Sequence, residues 1–145
     1  YHRNAAGINP NAFDARLLSR SLKTLTVRMQ AHQKNAKYVA GYLEDHKLVK
    51  RVYYPWISGM VSVEFDLSLE KMKRLISSFK LFRLAESLWG VESLVDHPAS
   101  MTHASIPKAT REAQWLGDGL VRFSVGIENI DDLLEDLQQW LEKFL

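Results

Sequence analysis

The spacing of apolar residues predicts one long helix at the start of the chain. After Asn9-Pro10-Asn11, a helix-start signal, apolar residues recur at intervals of three and four, which predicts a helix over residues 12–45. Residues 49–54 and 60–65 alternate apolar and polar positions, as half-buried strands do. Because a short turn with proline and glycine separates them, these strands are predicted to form an antiparallel hairpin.

The second half of the chain predicts shorter elements. They are a helix over residues 69–79 capped by Asp66 or Ser68, strand pieces within 81–85 and 91–95, a short helix over 107–115, a strand over 120–125 and a last helix capped by Asn129. Antiparallel strands with helices on one face predict an α+β fold, a two-layer sandwich. We expect residues 1–145 to form one domain.

Composition and charge narrow the classes of function. The 19 basic and 17 acidic residues are spread along the chain and give a net charge of +2, so we expect no nucleic-acid partner. No apolar run approaches the roughly 20 residues that span a bilayer, so we expect no membrane partner. The absence of cysteine excludes disulfides and thiolate sites and fits a cytoplasmic protein. We expect a monomer that needs no partner, with weak self-association left open.

Residues 85–105 hold the densest group of candidate catalytic side chains. Glu86 and Glu92 could act as an acid–base pair, and His97 and His103 could bind a metal. The serines of the same stretch could suggest a hydrolase, but no nucleophile-elbow pattern is present. With no third metal ligand at a suitable spacing, the pattern favours solvated loop residues, so we expect no catalytic residue and no metal site.

Three stretches of the sequence carry a resemblance to a known family. Residues 9–25 (NPNAFDARLLSRSLKTL), 85–107 (AESLWGVESLVDHPASMTHASIP) and 117–137 (GDGLVRFSVGIENIDDLLEDL) together resemble the C-terminal domain of the trans-sulfuration enzymes. These are fold-type I pyridoxal-phosphate enzymes such as cystathionine γ-synthase, cystathionine γ- and β-lyase and methionine γ-lyase. The resemblance covers nearly the whole chain.

The resemblance implies a substrate-binding role for four residues. Arg122 matches the family arginine that binds the substrate α-carboxylate, which suits the two parallel N–H donors of a guanidinium. Ser87 matches a serine at the same end of the substrate, and Glu86 lies beside it. Thr102, with His103, belongs to the loop near the site. Without a cofactor domain these roles would be vestigial, and Arg122 would be an exposed strand residue whose loss changes stability little.

The sequence also departs from the family pattern. It includes no stretch resembling the cofactor domain or the motif of the Schiff-base lysine, so we expect neither bound cofactor nor catalysis, although the parent family uses pyridoxal phosphate. Trp89 stands where the family has glycine, and Trp115 where it has a small residue. Trp56 follows Pro55 directly, where the family has a long loop.

These departures lead to one main hypothesis and two alternatives. The main hypothesis is an engineered, stand-alone domain, excised from a trans-sulfuration enzyme. In it, Trp56, Trp89 and Trp115 fold back onto the surface that the missing domain once covered. The first alternative is a natural fragment that supplies the substrate-carboxylate site only when it is paired with a cofactor-binding domain. The second is a protein-interaction module.

Overall fold

The computed structural model describes all 145 residues. Six helices and five strands follow one another in the order α1 (His2–Ala5), α2 (Ala12–Leu22), α3 (Leu25–Glu44), β1 (Val49–Tyr53), β2 (Met60–Phe65), α4 (Leu69–Ile76), β3 (Arg83–Leu84), β4 (Leu94–Asp96), α5 (Lys108–Ala113), β5 (Leu120–Ser124) and α6 (Ile130–Leu141), with a closing 3₁₀ turn at Glu142–Phe144. The fold is thus mixed, with helices and one open sheet. None of the helices is both long enough and apolar enough to cross a membrane.

The five strands form one sheet in the order β1-β2-β5-β4-β3. The pairs β1–β2, β2–β5 and β5–β4 are antiparallel, and only β3 and β4 run parallel. The predicted hairpin is therefore confirmed as β1–β2. Strand β5 has a neighbour on each side, so the last strand in sequence lies at the centre of the sheet.

The hydrophobic core lies on one face of this sheet. Alternate residues of β2 and β5 point into it, and helices α3, α4 and α6 cover them. The largest buried strand side chains are Phe65 and Phe123, and Phe123 packs edge-to-face on Phe82 with ring centroids 5.2 Å apart. The opposite face of the same strands is left for polar side chains.

Side-chain caps place the starts of three helices where the sequence predicts them. Asn11 accepts a hydrogen bond from the Asp14 amide at 2.9 Å, and Asn129 accepts one from the Asp131 amide at 2.9 Å. Of the two candidate caps of α4, Ser68 is the one that accepts from the helix, while Asp66 pairs with Lys50 at 2.9 Å.

The predicted single helix over residues 12–45 is wrong, because α2 and α3 are separate helices. Thr24 leaves the helical region (φ −107°, ψ 3°), and its amide bonds to the Ser21 carbonyl, three residues back. The α-helical ladder is therefore interrupted. The Arg28 guanidinium donates to the Ser21 carbonyl at 2.9 Å and to the Thr24 hydroxyl at 3.2 Å, which holds the bend.

The structure also contradicts the interpretation of three tryptophans as buried anchors. Trp56, Trp89 and Trp115 are 50%, 42% and 86% exposed. Their φ angles are 61°, 66° and 65°, in the left-handed region that L side chains rarely adopt. A bulky residue there carries backbone strain without the compensation of burial.

One buried carboxylate fixes the segment that leads from α4 into β3. Asp136 of α6 accepts hydrogen bonds from the backbone amides of Lys80 (2.9 Å), Leu81 (2.8 Å) and Phe82 (3.2 Å). The Asp136 side chain is buried, and so is Phe82, whose ring lies in the core. The carboxylate therefore satisfies three amides at a point where the chain enters the core without helical or strand partners.

We predict that Asp136→Ala destabilises the protein by about 3 kcal/mol, because it leaves buried or half-buried amides without an acceptor. Asp136→Asn, which keeps one acceptor oxygen, should lose less. Glu135→Ala is the matched control, since Glu135 is the preceding exposed residue of the same helix and should change stability by no more than about 0.5 kcal/mol. Urea denaturation measures all three, and equal midpoints for D136A and E135A would contradict the assignment.

Candidate functional site

The polar face of the central strands carries the candidate site. In the register of the sheet, Arg122 of β5 lies opposite Ser62 of β2 on one side and opposite Asp96 of β4 on the other. Its strand neighbours Val121 and Phe123 are fully buried in the core on the opposite face. Alternation along β5 therefore directs the Arg122 side chain away from the core, onto the face that the helices leave open.

Arg122 and Asp96 form an ion pair that is buried on one side only. The Arg122 Nη2 atom lies 3.0 Å from Asp96 Oδ2, and the Asp96 side chain is 2% exposed against 25% for Arg122. Neither Asp96 oxygen makes a hydrogen bond, and nor does the buried Nη2. The two groups thus attract each other by charge, without the aligned N–H···O geometry of a strong carboxylate–guanidinium pair.

Burial dominates the electrostatics of Asp96. Loss of solvent raises the pKa of the Asp96 carboxyl, and Arg122 offsets this effect only in part. Glu86 raises the same pKa further, whereas His97 and His103 act in the opposite direction. The charged form of Asp96 is consequently less favourable in the folded protein than in an unfolded chain.

The loop after β4 is anchored by a buried histidine. The His97 Nε2 atom lies 2.9 Å from the Asp118 carbonyl oxygen, which can only accept, so Nε2 carries the proton. The Nδ1 atom forms a second hydrogen bond, with the Ser100 hydroxyl at 2.7 Å. Since both ring nitrogens of His97 are occupied, this residue acts structurally. No group of three or more His, Asp or Glu side chains in the structure could hold a metal ion.

A second anchor ties α5 to the turn that precedes β5. Asp118 accepts from Lys108 Nζ at 2.6 Å and from Arg111 Nη2 at 2.8 Å, and these hydrogen bonds lower the pKa of the Asp118 carboxyl. The buried Arg111 also donates to the Leu116 carbonyl at 2.6 Å. Together with His97, this cluster fixes both ends of the loop that carries Thr102.

The loop between β3 and β4 is tied to the region just after β5. Glu128 accepts from the Ser93 amide at 2.6 Å and from the Ser93 hydroxyl at 2.9 Å, and the same hydroxyl accepts from the Gly126 amide at 2.8 Å. Further back in the loop, the Trp89 amide donates to the Ser124 hydroxyl at 3.0 Å. The loop that carries Ser87 is therefore held against the polar face of β5.

The residues that the resemblance singled out are not all brought together. Ser87 and Glu86 are exposed, and Glu86 is near enough to influence the charge of Asp96. Thr102 is exposed, and its hydroxyl lies 2.8 Å from His103 Nδ1. The structure shows no hydrogen bond from Ser87 or Thr102 to Arg122. These loop residues instead remain exposed at the edge of the polar face of the sheet.

Sequence reasoning missed Asp96, the one charged group in direct contact with Arg122. The available signal was the alternation of residues 94–96 and 120–124, which assigns Asp96 and Arg122 to one face if their strands are neighbours. Without the strand order, however, alternation does not show that the two strands are neighbours. The half-buried position of Arg122 also differs from the exposed, unpartnered strand residue that the sequence predicts.

Comparison with known proteins identifies relatives of this chain. A family model described as Cys/Met metabolism PLP-dependent enzyme matches residues 1–142. Cystathionine beta-lyase of Coxiella burnetii is 46% identical over 154 residues, which cover 95% of this chain and 40% of the relative. Cystathionine gamma-lyase of Dictyostelium discoideum is 44% identical over 157 residues, covering 97% of this chain and 41% of that protein.

The fold is similar as well. The crystal structure of cystathionine gamma synthase from Xanthomonas oryzae pv. oryzae, in complex with aminoacrylate and cysteine, matches with a TM-score of 0.89 and 39% identity over 97% of this chain and 40% of that chain. The chain therefore spans about two fifths of the length of these relatives. Since the family model covers almost all of the chain, the protein belongs to the Cys/Met metabolism PLP-dependent enzyme family.

Proposed function

We propose that this chain supplies the substrate-carboxylate side of a trans-sulfuration active site and becomes active only together with a cofactor-binding portion. In this proposal residues 1–145 form one unit equivalent to the C-terminal domain of the relatives. The observation that carries the proposal is Arg122, a guanidinium on the open face of the central strand, with a buried counter-ion on its inner side. A guanidinium held in this way suits a carboxylate ligand.

The residues around Arg122 fit a carboxylate but do not fit pyridoxal phosphate. No lysine contacts the Asp96–Arg122 pair, and Lys108 in the neighbouring helix is engaged by Asp118 at 2.6 Å and by Glu112 at 3.6 Å. We therefore assign the cofactor, which would supply an electron sink when bound, to another part of the enzyme. Within this chain Arg122 would bind the substrate carboxylate, with Ser87, Glu86 and Thr102 presented from the flanking loops.

The exposed apolar residues of the first helices support pairing with a further portion of protein. All residues of α2 are exposed, including Phe13, Leu18 and Leu22, which are 68%, 61% and 56% exposed. Apolar side chains grouped in this way mark a surface that another protein segment covers. We assign that segment to the cofactor-binding portion, in preference to an unrelated partner of an interaction module.

The hypothesis of an engineered domain rests on the three tryptophans together with the shortened loop and the missing cofactor domain, and the tryptophans do not support it. Each is substantially exposed and has a positive φ, whereas a designed backbone would place glycine at such positions. A fragment of a natural enzyme accounts for the exposed face of α2 and for Arg122 without this difficulty. We therefore propose the natural fragment as the origin of the chain.

We predict that the chain has no cystathionine-cleaving activity alone, even with added pyridoxal phosphate. Mixing or co-expression with the cofactor-binding portion of a cystathionine beta-lyase should produce that activity, measured as release of thiol. Arg122→Lys in the mixture should lower kcat/KM on the order of 100-fold, because an ammonium keeps the charge but lacks the paired donors. Turnover by the chain alone, or an unaffected R122K mixture, would overturn the proposal.

We also predict that no single lysine of the isolated chain forms a stoichiometric Schiff base. The reason is that the contacts around Arg122 include no lysine and that Lys108 is held by carboxylates. Treatment with pyridoxal phosphate, reduction with borohydride and peptide mapping measure this directly. A single lysine labelled to completion would show that the chain holds the cofactor by itself.

The Asp96–Arg122 pair makes the stability of the chain depend on pH. Because the folded-state pKa of Asp96 is raised, its contribution to stability is complete below the unfolded pKa, about 3.9, and is lost as the pH rises through the folded value. Above that folded value the charged form of Asp96 makes the free domain less stable than the protonated form would. A group retained at such a cost is typical of functional sites.

We predict that Asp96→Asn is at least as stable as the parent at pH 7.5 and that this advantage disappears near pH 4. Arg122→Ala, in contrast, should lose on the order of 2 kcal/mol at pH 7.5, because it leaves a buried carboxylate without its counter-ion, and less near pH 4. Urea denaturation of the three proteins at both pH values measures the differences. An R122A protein as stable as the parent at pH 7.5 would show that the pair is unimportant.

A further inference from the structure

We propose that Asp96 is a specificity-determining residue of the carboxylate site, a resident counter-ion with which an incoming carboxylate has to share Arg122. This inference rests on the proposed function of Arg122 and concerns how tightly that site binds. It follows from the relative depth of the two side chains, the geometry of their contact and the charges around them.

Asp96 lies deeper than Arg122, so Asp96 and an incoming carboxylate would contact different sides of the Arg122 guanidinium. Asp96 is buried and contacts Nη2, which is itself buried. The exposed quarter of the Arg122 side chain therefore lies in its other atoms, and a ligand from solvent can reach only those. Asp96 and a bound carboxylate would then occupy neighbouring positions on a single guanidinium.

The geometry of the Asp96–Arg122 contact leaves the guanidinium able to bind a second carboxylate. Although the ion pair measures 3.0 Å, neither Asp96 oxygen accepts a hydrogen bond from Arg122. Buried polar atoms without partners are rare in folded proteins and call for an explanation. Here the Arg122 guanidinium is attracted to Asp96 by charge but makes no hydrogen bond with it. The guanidinium can therefore turn towards a second carboxylate without breaking an aligned hydrogen bond.

The remaining charges do not neutralise the second carboxylate. Glu86 raises the pKa of the Asp96 carboxyl, and His97 and His103 lower it without cancelling the effect of burial. The His97 ring is tied to the Asp118 carbonyl and the Ser100 hydroxyl, and His103 Nδ1 lies next to the Thr102 hydroxyl. Two carboxylates on one guanidinium repel each other, so binding is weakened unless Asp96 takes up a proton. Asp96 thereby sets the affinity of the site and links it to pH.

The test uses this chain, labelled with nitrogen-15, and sodium acetate as the carboxylate probe at constant ionic strength. The Arg122 Nε–H signal, assigned by its loss in Arg122→Lys, reports binding. We expect Asp96→Asn to bind acetate about three- to tenfold more tightly than the parent at pH 7.5. As the pH is lowered from 7.5 through the raised pKa of Asp96, the affinity of the parent should rise, while that of D96N should not.

Glu64→Gln is the matched control, because Glu64 lies on the same face of β2 but opposite Leu120, away from Arg122. It should bind like the parent. Equal or weaker binding by D96N would overturn the role of Asp96 and leave the carboxylate site standing. If acetate shifts the Arg122 signal in none of the proteins, the carboxylate site and this inference both fail.

A second inference comes from the backbone at the three exposed tryptophans. Trp115 follows α5 as the residue after the helix cap. Its amide bonds to the Glu112 carbonyl at 3.0 Å, and the Leu116 amide bonds to the Arg111 carbonyl at 3.1 Å. This pair of hydrogen bonds defines a Schellman motif, whose left-handed position is normally glycine.

The other two tryptophans share the positive φ angle. Trp56 follows Pro55 with a φ of 61°, and a proline followed by a positive φ is the pattern of a type II turn, which favours glycine at that place. Trp89, with a φ of 66°, precedes Gly90 in a loop. Trp140, by contrast, lies inside α6 with its ring under the Lys143 ammonium, 3.6 Å from the ring centroid. The strain is thus shared by three tryptophans and absent from the fourth.

We infer that positions 56, 89 and 115 carry glycine in the protein that its organism makes. One codon would explain all three, because UGA is read as tryptophan in some genetic codes and as glycine in others. The triple variant W56G/W89G/W115G should melt about 5–10 °C higher than the chain with tryptophan, through relief of backbone strain. Trp140→Gly, the control, should melt lower because glycine weakens a helix interior.

Peptide masses of the protein from its own organism and the codons of its gene decide the point directly. Glycine masses at the three positions and UGA codons would support the inference. Tryptophan masses, UGG codons, or a triple variant that melts below the chain with tryptophan would overturn it.

Discussion

The pairing of β5 with neighbours on both sides is the constraint on which the rest of the structure depends. Once β2 and β4 are hydrogen bonded to it, alternation assigns every second residue of β5 to the core and the others to the open face. Phe123 then packs among the aromatic rings of the core. Arg122, the preceding residue, therefore lies on the opposite face, next to Asp96. A slip of one residue would exchange the two sets and destroy core and site together.

The two faces of the sheet are organised by different forces. On the core face, apolar side chains of α3, α4 and α6 are removed from water, and the buried carboxylate of Asp136 is satisfied by three backbone amides. On the open face the loops are held by hydrogen bonds through His97, Asp118 and Glu128. Both Asp96 oxygens and the Nη2 atom of Arg122, in contrast, are buried without a hydrogen-bond partner.

Helix α2 and three of the tryptophans are parts of the chain whose apolar side chains are exposed. Helix α2 has no buried residue, so nothing within this chain requires its apolar side chains to face inward. The tryptophans occupy turns whose backbone is set by the elements on either side, as in the Schellman motif after α5. In both places the side chains remain substantially exposed to solvent.

Much of the secondary structure was predictable from the sequence, because it depends on local patterns. The strands β2 and β5, the caps at Asn11, Ser68 and Asn129 and the short helix after Pro107 follow from alternation, helical periodicity and capping chemistry. The break at Thr24 was not predictable, since the apolar periodicity continues across it and the bend is held by Arg28.

For the site, the sequence by itself determined which residue types were present, and the resemblance to the family predicted a carboxylate-binding role for Arg122. Only the tertiary structure decided that Asp96 is its partner, that His97 is occupied by Ser100 and Asp118, and that Asp136 accepts from the segment before β3. The physical reason is that each of these depends on contacts between chain segments whose adjacency is set by strand order and packing, and local patterns carry no information on either.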